Sequence, residues 1–173
     1  VGGVRGGGGH AAEGEPRGPS PAEYPGRMRY RESIEVAAPP DEAFAYVADF
    51  ANAAEWDPGL KESRRLDAGP LRVGSSFHIV AVTRGKEQAF RYAITELEPP
   101  ARVVIEGVGE KAVSRDVVTF EPSAGGGTRI TYDLDLRLKG ARRLAEPFLG
   151  GFVRELGDSA LAGLKRALDA RAA

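Results

Sequence analysis

The feature that most constrains this chain is a change of period near Gly140. Over TRITYDLDLRLKG (128–140), Ile130, Tyr132, Leu134, Leu136 and Leu138 share one face, while Thr131, Asp133, Asp135 and Arg137 share the other. This alternation predicts a half-buried antiparallel strand with one wet side. From Ala141 the apolar residues Leu144, Phe148, Phe152, Leu156, Ala160, Leu164 and Leu168 recur every four positions, and Leu149, Val153 and Leu161 widen the stripe. Arg142, Arg143, Arg154, Lys165 and Arg166 lie mostly off it. A strand with one apolar face that runs straight into a long amphipathic helix has one economical solution, the helix laid on the sheet. Pro147 separates a lead-in turn from the main helix, because proline is tolerated in a first turn and not in a helix interior. Gly150, Gly151, Gly157 and Gly163 weaken the helix, so its stability has to come from docking.

Upstream, the pattern is a strand, two short helices and a run of further strands. YRESIEVAA (30–38) is the opening strand. Pro39-Pro40-Asp41 then starts a helix over 42–50, with Asp41 or Glu42 at its positive end and Phe44, Val47 and Ala48 on one side. A second short helix (51–56) stops at Asp57-Pro58-Gly59. Strand-like runs follow at 60–69, 75–83, 87–98, 102–109 and 112–122, parted by Gly-Pro, Arg84-Gly85, Pro99-Pro100 and Gly125-Gly126-Gly127 turns. The expected class is α+β.

The first 27 residues differ from the rest. They hold nine of the 23 glycines and four of the 12 prolines, with hardly a bulky apolar side chain. Such a tract cannot bury enough surface to offset its ordering entropy, so 1–27 is expected to be a disordered tail and 28–173 one domain. The only methionine, Met28, stands directly before the first strand. The tract therefore reads as a start-site misassignment, or as the product of an alternative start codon rendered as valine.

Composition removes several function classes. With no cysteine there is no disulfide, thiolate nucleophile or zinc-thiolate site. Two histidines, one of them His10 in the glycine-rich tract, leave little for a metal, and neither a metal nor a cofactor is expected. The net charge of −1 lacks the basic excess that capture of nucleic acid rests on. No apolar run is long enough to span a bilayer and none resembles a signal peptide, so the expected location is the cytoplasm. Nucleophile-elbow, phosphate-loop and dinucleotide motifs are missing. Oligomeric state is not legible in the sequence.

The segments IEVAAPPDEAFAYVADFANAAEWDPGL (34–60), VGSSF (73–77), YAITELEPPARVVIEG (92–107), TFEPSAGGGTRITYDLDL (119–136) and LAGLKRAL (161–168) resemble the START-like superfamily, and most of all its bacterial polyketide cyclase/dehydrase branch. The resemblance covers roughly residues 30–168. It implies a helix-grip fold, in which a curved antiparallel sheet of about seven strands wraps around the long C-terminal helix, with a cavity between them. The recurring residues are turns, caps and core, so the resemblance speaks for the fold more than for a reaction.

Alternation then nominates the wall. If Phe120 and Tyr132 face inward, so do Ser114, Asp116 and Val118, along with Phe90, Tyr92 and Ile94, and Phe77, Ile79 and Ala81. The expected cavity residues are Trp56 at the rim, Phe77, Phe90, Tyr92, Phe120, Tyr132, Phe148 and Phe152. An aromatic and aliphatic wall with few polar points suits a greasy or ring-shaped ligand. Asp116, His78 and Tyr132 are the candidate catalytic groups. Asp116 would have a raised pKa if it faces an apolar cavity; otherwise it pairs with a neighbouring arginine or sits at a hydrated cavity mouth. His78 has a pKa suited to proton transfer, but strict alternation from Phe77 turns it outward, while Val80 and Val82 share its side. Tyr132 offers a hydroxyl to a ligand carbonyl. Arg91 and Arg115 fall on the convex face. Three functions stay open: a carrier of a fatty, isoprenoid or polyketide-like molecule, a polyketide cyclase/aromatase/dehydratase using the same cavity, and a protein-interaction module.

Overall fold

The computed structural model describes residues 28–172, so the expectation for the tract 1–27 lies outside the described residues. Seven strands form one antiparallel sheet: β1 (Met28–Val36), β2 (Leu60–Arg65), β3 (Ser76–Thr83), β4 (Lys86–Glu98), β5 (Arg102–Gly109), β6 (Ala112–Pro122) and β7 (Thr128–Leu138). Their order is β1-β7-β6-β5-β4-β3-β2, so β2 through β7 make a meander and β1 closes beside the last strand. Between β1 and β2 the chain leaves the sheet for α1 (Pro40–Ala48), a single 3-10 turn (Phe50–Asn52) and α2 (Ala53–Trp56). Asp41 and Glu42 lie in the first turn of α1, where the helix dipole favours them. Another 3-10 segment (Gly140–Ala145) leads into α3 (Glu146–Arg171), with Pro147 in its first turn. This is the expected helix-grip architecture.

The core is one cluster that two sets of helices cover. Under α1 and the 3-10 turn, protein side chains fill the space: Phe44 meets Phe120 edge to face at 5.4 Å, and Phe50 meets Phe77 at 6.2 Å. Under α3 the contact is made by Val153, Leu161, Leu164 and Leu168, all buried.

That set corrects the stripe expected for α3. Leu144 is 81% and Phe148 86% exposed, so neither packs on the sheet. The reason is geometric. Leu144 lies in the 3-10 segment ahead of α3, and within α3 four residues over-rotate a 3.6-residue turn by about 40°, so a strict every-four series winds more than halfway round the helix from Phe148 to Leu168. Its last members, Leu164 and Leu168, face the sheet and its first members face water.

Two α3 glycines serve close approach. A Cβ on Gly157 would meet the ring of Tyr30 on β1 at 2.5 Å, and one on Gly163 would meet the carbonyl oxygen of Trp56 at 1.9 Å. Leu164→Ala is expected to cost about 2–5 kcal/mol, whereas Phe148→Ala should change stability by less than about 0.5 kcal/mol, as measured by urea unfolding. Equal costs would restore the every-four stripe.

Candidate functional site

Where no short helix covers the sheet, the space between the strands and α3 stays open as a cavity of about 380 Å³. Its wall is mainly apolar, with Ile79, Phe90, Leu134 and Leu136 from the sheet and Leu149 and Phe152 from α3. Exposed Arg84 and Leu156 line it where it reaches solvent. Arg84, at the β3–β4 turn with φ of 49°, holds its guanidinium 5.1 Å above the Phe152 ring, a cation–π contact across the rim.

One end of the cavity is polar. Register sets Asp116 on β6 opposite Leu134 on β7 and Ile105 on β5, so it shares the inward face with Ser114, Val118 and Phe120. Asp116 is 2% exposed. Ser114 Oγ lies 3.4 Å from Asp116 Oδ2 and 2.8 Å from the Tyr92 hydroxyl, and the Tyr132 hydroxyl donates to the Asp116 carboxyl. Among the described residues no basic side chain pairs with Asp116, so the expected alternative of a neighbouring arginine is set aside. Burial pushes its pKa up to about 7, the Tyr132 and Ser114 hydrogen bonds hold it back, and the charge of Asp57 adds to the rise. Burial also raises both tyrosine hydroxyls well above their ordinary value, with the Asp116 charge adding to it. They remain neutral donors at any physiological pH.

Tyr92 and Phe90 owe their posture to glycine. Opposite them on β5 stand Gly107 and Gly109, where a Cβ would lie 2.4 Å from the Tyr92 ring and 2.7 Å from the Phe90 ring. Both rings therefore lie across β5.

The family follows from residues 27–169, which match the model described as polyketide cyclase/dehydrase and lipid transport. The chain belongs to this family. Solved structures of the same fold include the Zhui aromatase/cyclase from Streptomyces sp. R1128, at 14% identity and a TM-score of 0.73 over 85% of this chain and 96% of that one. A START superfamily protein from Mycobacterium smegmatis is 21% identical, with a TM-score of 0.64 over 83% of this chain and 96% of that one. TTHA0849 from Thermus thermophilus is 19% identical, with a TM-score of 0.71 over 84% and 99%. At these identities the likeness is one of fold. No curated protein matches the chain.

Within this polyketide cyclase/dehydrase family member, the nominated residues fall into four groups. Trp56, Phe90, Tyr92, Tyr132, Phe152 and Asp116 line the cavity. Phe77 and Phe120 do not. They face the right way but lie under the α1–α2 excursion, whose own Phe50 and Phe44 fill that space. Phe148 points to solvent, by the helix drift described above. His78 is corrected as well: alternation from buried Phe77 puts it on the convex face, in register with Arg64 and Arg91 and away from the cavity. Val80 and Val82 share that side without drawing it inward. Arg115 also lies there, paired with Glu96 and Glu106.

Asp57 is the polar residue that the sequence reading passed over. It was legible only as part of a stop-and-turn signal, yet it lines the cavity, as does the adjacent Trp56. Its Oδ1 accepts a 2.8 Å hydrogen bond from the Gly59 N–H, and burial raises its pKa. Trp56 is both packed anchor and wall. It is 4% exposed, stacks edge-on to Phe50, and its indole N–H finds no acceptor among the described residues. No group of three or more His, Asp or Glu among the described residues is arranged to hold a metal. No described helix is long and apolar enough to cross a membrane.

Proposed function

We propose that this protein binds a hydrophobic small molecule, of lipid, isoprenoid or polyketide-like character, between the sheet and α3. The observation that carries this reading is the 380 Å³ cavity with its largely apolar wall, within the usual size range of small-molecule sites. The family description, which joins polyketide cyclisation to lipid transport, agrees with it. Native mass spectrometry of protein purified from its own host should reveal a co-purified small molecule that denaturation releases. A protein that stays empty, and that takes up no apolar fluorescent probe, would count against it.

A second reading has one specific observation in its favour. A carboxyl titrating near neutrality inside an apolar cavity, held by a tyrosine hydroxyl, suits general acid–base chemistry on a poly-β-keto chain. In a cyclase, aromatase or dehydratase the walls would orient the chain, and Asp116 would take a proton from a carbon flanked by carbonyls. Asp116→Asn separates the two readings. Probe binding should stay within a few-fold in either case, while an enzyme would lose about 10²–10⁴ in turnover of a β-polyketide surrogate. Turnover that survives the substitution would remove Asp116 from the chemistry and leave Tyr132 as the nominated group in the cavity.

A further inference from the structure

We infer that the polar end of this cavity receives a protonated amine, so that the ligand is an amphiphile with one ammonium group and an apolar body. The inference deepens the ligand-binding reading above and rests on it. Asp57 and Asp116 both line the cavity, and no basic side chain among the described residues forms an ion pair with either. The one basic residue of the described lining, Arg84, is committed to the rim over Phe152. Two carboxyls in apolar surroundings without a counter-charge make an unfavourable arrangement that a cation relieves.

The surrounding side chains suit a cation too. Phe50, Trp56, Tyr92 and Phe90 form a connected aromatic group, with centroid separations of 6.3 Å for Phe50–Trp56, 5.4 Å for Phe50–Tyr92 and 5.9 Å for Phe90–Tyr92. All four line the cavity, as does Tyr132. The ring quadrupole attracts an ammonium group, most strongly where water is excluded. Beyond the polar end, the leucines of β7 and Leu149 of α3 would enclose an alkyl or ring body. A fatty acid entering head first would instead bring a further acidic group to the two carboxyls.

The test compares three ligands with the same ten-carbon chain, decylammonium, decanol and decanoate, at pH 8, which is above the value to which burial pushes the Asp116 carboxyl. Trp56 is the only tryptophan, so selectively excited tryptophan fluorescence reports on the surroundings of this cavity-lining residue. Decylammonium should bind at least about tenfold more tightly than decanol, with decanoate weakest. Asp57→Asn and Asp116→Asn should each shrink that preference several-fold while decanol binding stays within a few-fold, and circular dichroism checks that both variants fold. Decanol binding as tightly as decylammonium, or a preference that survives in both variants, would overturn the amine assignment and leave the hydrophobic-ligand reading standing. Failure of all three ligands to bind would overturn both.

Discussion

Relative to the parent protein, Asp116→Asn gains about 4 kcal/mol of stability between pH 4 and pH 8. The carboxyl titrates near 7 in the folded protein against 3.8 when free of its surroundings, and each unit of difference corresponds to about 1.4 kcal/mol. The sign follows from proton binding. Between these two values the folded state holds a proton that the unfolded state has lost, so stability falls as pH rises. Below about pH 4 both states are protonated and the penalty is absent. Above about pH 7 the folded state carries a buried charge and the full penalty applies. Asparagine never charges, so the variant lacks this slope. Urea unfolding of both proteins at pH 4, 6 and 8 measures it directly. Parallel stability profiles would mean that Asp116 is ionised and solvated in the fold.

Gly163→Ala is the second large effect, with an expected cost of about 3 kcal/mol or more. On helix propensity alone the change should gain about 1 kcal/mol. The propensity argument loses because the new Cβ would sit 1.9 Å from the Trp56 carbonyl oxygen, and the obstacle is backbone rather than a side chain that can swing aside. α2 and α3 would have to separate, shifting the fluorescence of Trp56. Gly150→Ala on the same helix faces open space and should stabilise by about 0.5–1 kcal/mol. Thermal melts of the two variants beside the parent give the contrast. A stabilised Gly163→Ala protein would show that the two helices do not touch there.

The strands were legible because alternation is insensitive to what covers them. Reading inward from Phe120 and Tyr132 reached Ser114 and Asp116 by counting in twos along paired strands. The long helix was legible as a helix but not in its facing, because a step of four drifts around a 3.6-residue turn and the eye follows Phe148 as readily as Leu164. Phe77 and Phe120 mark a different limit. Their direction was legible, but whether they meet a ligand or another side chain depends on where α1 and α2 fold back. Asp57 lies in a turn, where no period says which way a side chain points, so a carboxylate of the polar end was hidden inside a helix-stop signal.

Gly107 and Gly109 give the cavity its depth. Because neither has a side chain, the rings of Tyr92 and Phe90 lie flat against β5 like panelling, and the space above them stays clear. A methyl group at either position would tip its ring upright into the room. The length of molecule that fits is thus governed from behind the wall, by two residues outside the cavity lining. A chain of this kind can change guests through mutations on β5 while every side chain that lines the cavity keeps its identity.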